Sequence, residues 1–279
     1  MKKVGRAQLM LLKKRKSLKI STIVPVFDEE KTVGDVVGVL LTHPLIDEVI
    51  CVNDGSTDGS LRILKSFKDR IVLIDTGKNK GKGHALASGI KKAKGEIVVF
   101  LDADFTNLNK SHISKLLTPI LVGSCDGVVG YLTRAGMAIF SFISGQRVYW
   151  RSDMLPIVKK MSETRFGVEV FLNEQFRRKK IKKVPLHGLR VLLKHEKYRK
   201  KKAFGEYLQE AVEITRVIAE REVISPDKIV ARIQRSRDIG ELRDVVGRIK
   251  NRRIRLMIEK YLLSYIEDAR ERLKERASR

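Results

Sequence analysis

The sequence predicts an α/β fold built on a mostly parallel central sheet, and three observations predict it. Short runs of β-branched and aliphatic residues alternate with longer stretches of helical period, the spacing of βαβ units. Two of those runs end in aspartates, in Asn53-Asp54-Gly55-Ser56-Thr57-Asp58 and in Asp102-Ala103-Asp104, and ligands of open α/β sheets bind at the carboxyl ends of strands. The chain's 279 residues are 43% hydrophobic, enough to bury a core and to exclude a disordered protein.

Taken in order, residues 19–26 read as the first strand. Residues 29–41 carry Val33, Val36, Val37, Leu40 and Leu41 at helical spacing. Residues 47–52 are the second strand, and Thr57 or Asp58 caps a helix that runs on to residue 67. A third strand at 71–74, a helix at 83–93 and a fourth strand at 96–101 complete a nucleotide-binding half. Beyond it the pattern loosens to a helix at 111–121, a strand at 127–131, an unassigned stretch at 132–150, and helices at 167–178 and 203–224. Ser225-Pro226 pairs a cap residue with proline at a helix start. Asp238-Ile239-Gly240-Glu241 has the capping-box pattern. Three parts are therefore expected: a basic extension at 1–18, the main domain at 19–224 and a basic helical extension at 225–279.

Charge is lopsided, with 58 Lys and Arg against 33 Asp and Glu, a net +25. Residues 1–19 hold eight bases and no acid, and residues 176–202 hold thirteen bases and one acid. A polyanionic partner is expected: a phosphorylated substrate, an anionic lipid surface or a nucleic acid. The bases of 176–202 follow Glu169 in the chain and are expected to lie on the same side of the molecule as that acid. The two cysteines, Cys51 and Cys125, sit among apolar neighbours and read as buried thiols, which suits a reducing cytoplasm. No uncharged apolar stretch reaches the roughly 18 residues that span a bilayer. The expected location is cytoplasmic, with a peripheral position on the inner face of a membrane as the variant the charge suggests.

Asp102 and Asp104, one residue apart at a strand end, form a hard oxygen site for Mg²⁺ or Mn²⁺, which in turn holds a diphosphate. Asn79-Lys80-Gly81-Lys82-Gly83-His84 precedes a helix, where glycines let backbone N–H groups approach an anion and Lys82 supplies a point charge. The string is no Walker loop, because Gly83 stands where a hydroxyl would bind Mg²⁺. No Gly-x-Gly-x-x-Gly follows the first strand, which argues against a nicotinamide cofactor.

Proline and acids after strand one (Pro25-Val26-Phe27-Asp28-Glu29), Asn-Asp-Gly-Ser-Thr-Asp after strand two, Asn-Lys-Gly-Lys-Gly before a helix and Asp-Ala-Asp after strand four occur in that order. In this the chain resembles the GT-A glycosyltransferases of family 2. The resemblance implies that residues 25–29, with Pro25, Val26, Phe27 and Glu29, and Asp54 hold the nucleoside. It implies that Lys82 approaches the diphosphate and that Asp102, Ala103 and Asp104 position donor and metal.

The second half, with Gln146-Arg147, Gly167-Val168-Glu169, Arg190 and His195, resembles two groups within that family. One is the glucosyl-3-phosphoglycerate synthases; the other is the dolichyl- or polyprenyl-phosphate sugar transferases. By this resemblance Gln146, Arg147 and Arg190 join the donor site, His195 completes the metal site and Glu169 is catalytic with Asp104. His195 reads equally as an exposed histidine in a basic loop, and Glu169 as a helix-surface acid. The implied activity is metal-dependent transfer of a hexose from a UDP-glucose- or GDP-mannose-type donor to an anionic acceptor, a phosphoglycerate or a polyprenyl phosphate. The helical extension is a candidate homodimer contact. The alternative is a non-catalytic basic protein that binds membrane or nucleic acid on the same scaffold.

Overall fold

The structure, a computed structural model, describes residues 18–133, 144–164, 167–192 and 239–249, with Arg252, Arg255, Leu256 and Glu259 beyond them. The chain divides into two compact units, Met1–Leu192 and Leu193–Arg279. The first carries strands β1 (Ile20–Val26), β2 (Glu48–Asn53), β3 (Val72–Asp75), β4 (Ile97–Phe100), β5 (Gly127–Leu132), β6 (Arg147–Trp150) and β7 (Ile181–Leu186). Its helices are α1 (Val33–Leu41), α2 (Ser60–Ser66), α3 (Lys82–Lys92), α4 (Lys110–Leu121), α5 (Arg151–Met154), α6 (Val158–Met161) and α7 (Val168–Gln175). The second unit contains α8 (Ile239–Gly247), which begins one residue after Asp238 and buries Val246. The expected helix at 203–224 and the boundary at Ser225-Pro226 lie outside the described residues.

The strands form one seven-stranded sheet in the order β3-β2-β1-β4-β6-β5-β7. All pairs are parallel except those of β6 with β4 and with β5. Both faces are covered, which is why the central strands read as unbroken apolar runs rather than as an alternation. Along β1, Val24 packs into the cluster with Val36, Leu40, Leu116 and Ile120 on one face. Its neighbour Ile23 packs with Ile50, Leu86, Ile90 and Leu172 on the other. Cys51 and Cys125 are both buried free thiols, and burial pushes Cys51 up to about 12.

Two strands were not legible in the sequence. β6 lies inside the stretch left unassigned. β7 is Ile-Lys-Lys-Val-Pro-Leu, a poor strand by composition, but it is the sheet's edge. There the exposed Lys182 and Lys183 and a proline are tolerated and discourage pairing with another chain.

The structure also corrects where the basic run begins. β7 runs parallel to β5 and so in the direction of β4. The turn that feeds β7, with Arg177, Arg178, Lys179 and Lys180, therefore lies at the amino end of the sheet, not on the side of Glu169. Arg190, beyond the far end of β7, is at the carboxyl end, where its carbonyl accepts from the Thr106 N–H at 3.1 Å.

Gly55 is held by two constraints at once. Its φ is +74°, and a Cβ built on it would come within 2.5 Å of the Asn79 nitrogen. Gly55→Ala is expected to cost at least about 2 kcal/mol, from the left-handed backbone and the clash together. That corresponds to a melting temperature lower by roughly 4–8 °C, measurable by calorimetry; an unchanged midpoint would show that the loop relaxes freely.

Candidate active site

The chain winds outward from β1 through β2 to β3, then returns to the other flank of β1 to lay down β4. Connections diverge at the β1–β4 boundary, the place where doubly wound sheets open a crevice. Pro25 marks that opening. Ile23 O accepts from the Leu101 N–H at 3.1 Å, on the β4 side. Strand alternation puts residue 25 on the same side, beyond the last β1–β4 pair, Ile23 with Phe100. The N–H that proline lacks has no ladder partner to lose there.

The loops after β1 and β2 are fastened to each other. Asp28 has φ +54°, a left-handed conformation aspartate tolerates. Its carboxylate accepts from the Thr57 N–H at 2.8 Å, and its own N–H donates to Ser56 Oγ. The Glu29 N–H donates to Ser60 Oγ at 2.8 Å, the Glu30 N–H to Asp58 at 3.0 Å, and Glu30 accepts from the Gly59 N–H at 2.8 Å. Asp54, at the end of β2, accepts from the N–H groups of Lys80 (2.9 Å) and Gly81 (2.7 Å). It thereby sets the glycine loop that starts α3.

That loop delivers Lys82 to the first position of α3. A cation there faces the positive end of the helix dipole, and two carboxylates hold it. Lys82 Nζ is 2.6 Å from Asp102 and 2.7 Å from Glu169. Burial opposes its charge, but Asp102 and then Glu169 outweigh that and hold Lys82 well above the ordinary lysine value. It stays an ammonium at every working pH. The other Asp102 oxygen accepts from Gln146 Nε2 at 2.7 Å. Gly145, beside Gln146, passes so close that a Cβ would overlap Asp102 and reach 2.6 Å from Lys82 Nζ. A side chain there would displace the Asp102 carboxylate and the Lys82 ammonium from their present positions.

Arg147 follows, and its side chain is 1% exposed. It donates to Ser144 O at 2.7 Å, to Asn173 Oδ1 at 2.9 Å and to the Tyr149 hydroxyl at 3.1 Å. Asn173 lies one turn after Glu169 on α7, so Arg147 supports the helix that presents Glu169 rather than lining the crevice. The sequence reading missed Asn173 and Gly145. The i, i+4 spacing from Glu169 was the available signal for Asn173; nothing local marked Gly145.

Asp104 belongs to a second fastening. Its carbonyl accepts from the Leu192 N–H at 2.7 Å, Phe105 bridges Val191, and Asn107 bonds Gly188 O (2.7 Å) and the Arg190 N–H (2.8 Å). His112, buried in α4, accepts from the Asn109 N–H and donates to His187 O at 3.0 Å, which supports the same segment. The segment leaving β7 is thus stitched to the residues that follow Asp102.

The structure therefore brings Lys82, Asp102, Gln146 and Glu169 into one cluster, with Asp104 two residues on and Arg190 on the neighbouring segment. Val26 (1% exposed) and Ala103 (3%) turn their side chains into the core. Pro25, Phe27 and Glu29 are half-buried at the crevice rim. His195 lies outside the described residues. Among the described residues no three His, Cys, Asp or Glu side chains converge as a complete metal cage. Two carboxylates are nonetheless a fitting donor set for Mg²⁺ or Mn²⁺, which take part of their coordination from substrate phosphates and water.

With this geometry in hand, the family is established: residues 21–207 match the glycosyl transferase family 2 model, and the chain belongs to that family. Among curated relatives, glucosyl-3-phosphoglycerate synthase of Petrotoga mobilis is 29% identical over 124 residues, 41% of this chain and 38% of that protein. The synthase of Mycolicibacterium paratuberculosis is 35% identical over 116 residues, 39% and 35% of the two chains. The 4,4'-diaponeurosporenoate glycosyltransferase of Staphylococcus aureus is 35% identical over 101 residues, 35% and 27%. The matches span well under half of these relatives' length. Among solved structures, glucosyl-3-phosphoglycerate synthase from Mycobacterium tuberculosis with Mn²⁺, UDP-glucose and phosphoglyceric acid superposes with a TM-score of 0.60. It covers 77% of this chain and 83% of that one at 22% identity, a likeness of fold.

His84, in the first turn of α3, is pushed below 6.5 by burial and then by the Lys80 ammonium, with Asp54 pulling the other way. The folded chain binds this proton less readily than the unfolded one. Its contribution to stability is therefore intact above pH 6.5 and lost as the pH falls below it. His84→Gln is expected to make urea midpoints less sensitive to acid below that pH; an identical slope in parent and variant would exclude the histidine as a source.

Proposed function

We propose that the protein transfers a hexose from a nucleoside-diphosphate sugar, of the UDP-glucose or GDP-mannose type, to a small phosphorylated acceptor bearing a hydroxyl. The observation that carries this is the Lys82 bridge between Asp102 and Glu169 at the β1–β4 crevice. It sets side by side a cation suited to a diphosphate, an acid suited to a metal and a second, buried acid. The curated synthases and the Mycobacterium tuberculosis structure, named for UDP-glucose and phosphoglycerate chemistry, support the donor and acceptor classes.

In this reading the diphosphate enters over the amino end of α3, where Lys82 and the helix terminus favour an anion. Asp102 and Asp104 would hold Mg²⁺ or Mn²⁺, with His195, three residues after Leu192, as a further ligand. When bound, such an ion offsets the charge that builds on the departing diphosphate. Lys82 shifts its pairing toward the diphosphate, and Glu169 is released to accept the acceptor's hydroxyl proton. The acceptor oxygen forms the new bond to the anomeric carbon as the bond to the diphosphate breaks, and the nucleoside diphosphate leaves. Arg190 and its neighbours supply positive charge for the acceptor's phosphate. Polyprenyl phosphate, the other acceptor class, needs no base, so the burial of Glu169 beside Lys82 favours the hydroxyl.

Calorimetry of UDP and GDP with and without Mn²⁺ tests the donor site and separates it from the non-catalytic alternative. Asp104→Asn is expected to lose the Mn²⁺-dependent part of the affinity, by more than the roughly 10- to 100-fold that loss of a mere supporting partner costs. Affinity that ignores Mn²⁺ in the parent would sink the metal assignment.

Glu169→Gln is expected to lower turnover on a hydroxyl acceptor by about 10²–10⁴ while UDP still binds. Full turnover in this variant would remove the acid from the reaction and return polyprenyl phosphate to first place.

A further inference from the structure

The end of the sheet opposite the active site carries its own chemistry. Three connections meet there because of strand direction alone. α3 feeds β4 and ends at Lys92; β6 runs against β4 and releases α5; and the turn after α7 feeds β7. Contacts hold them together. Arg151 Nε donates to Ile90 O at 3.2 Å, and Lys179 pairs with Asp153 at 3.2 Å.

The solvent side of this end, together with the short helices that leave β6, is basic: Lys91, Lys92, Lys159, Lys160, Arg178 and Lys180 are all exposed. Nearby acids are fewer than the bases. Asp153 pairs with Lys179, Glu174 with Arg177, and Asp126 accepts from the Lys180 N–H. With the exposed Glu96 and Glu163 counted as well, the bases of this face still outnumber its acids. Among these bases stands Leu155, 45% exposed, next to the exposed Pro156. The chain also enters β1 at this end, at Lys19.

We propose that this amino end of the sheet is a docking surface for an anionic lipid bilayer. Bases around an exposed aliphatic side chain match head groups over an apolar interior, each base near such a surface contributing on the order of 1 kcal/mol. A nucleic acid fits less well. None of the described aromatic residues is exposed, so this face offers no platform on which bases could stack. Docked by this end, the protein holds its β1–β4 crevice away from the membrane and open to soluble donor and acceptor.

The test is flotation of the full chain with vesicles of phosphatidylglycerol and phosphatidylcholine, against phosphatidylcholine alone, across a salt series. Binding is expected only with the anionic lipid, weakening as salt shortens the screening length. A variant combining Lys159→Gln, Lys160→Gln, Arg178→Gln and Lys180→Gln should bind more than about 100-fold more weakly, at about five-fold for each base removed. UDP binding should be unchanged in that variant, which shows that it is folded, and unchanged in the parent when vesicles are present. Absence of flotation at low salt, equal flotation of the variant, or competition between vesicles and UDP would each overturn the proposal. So would retention on duplex DNA without vesicle binding, which would assign the face to nucleic acid.

Discussion

The site depends on a single cation placed between two acids. Asp102 comes from the end of β4 and Glu169 from the first turn of α7, elements that the chain builds far apart. Brought together without a partner in a half-buried setting, two carboxylates would repel, and one would have to take up a proton. Lys82 removes that conflict, with Nζ to oxygen distances of 2.6 and 2.7 Å. In turn the two acids stabilise a charge that the amino end of α3 disfavours. None of the three positions is comfortable alone, so the arrangement is reciprocal.

The surrounding residues follow from that bridge. Gln146 occupies the second oxygen of Asp102 and fixes the carboxylate's plane. Gly145 must lack a side chain because Asp102 and Lys82 occupy the space a Cβ would need. Arg147 turns inward to tie β6 to Asn173, which keeps α7 at the distance Glu169 requires. A polar circuit thus runs from β4 through β6 and α7 to α3 and back to β4. Circuits of this kind are costly when one member is lost, because the others remain buried without a partner.

The motif acids divide their labour. Asp28, Glu30, Asp54 and Asp58 bind backbone N–H groups of neighbouring loops and build the rim of the crevice. Asp102 and Asp104 are carried on a segment clamped from both sides, by Ile23 of β1 and by the segment from Gly188 to Leu192. In the proposed reaction, rigid walls of this sort would hold a diphosphate and an acceptor at a fixed separation, the positioning that turns two reactants into one oriented complex.

Much of this was legible in one dimension. The strands β1 to β4 and their helices follow from apolar runs and turn residues. The aspartates at strand ends and the glycine loop before α3 were nameable because their chemistry is tied to local pattern, whereas Glu169 was named only through the family resemblance. What the sequence could not disclose depends on strand order and direction. β6 and β7 are short or lysine-rich and become strands only because the sheet offers them an edge. Arg147 is a base in sequence and a buried brace in space. The bases around residue 178 follow Glu169 in the chain, yet β7 runs parallel to β5 and so carries them to the opposite end of the sheet. Local sequence determined which groups the protein possesses and where its central strands end. Only the tertiary structure, through the register of the sheet and the one antiparallel strand within it, decided which of those groups meet.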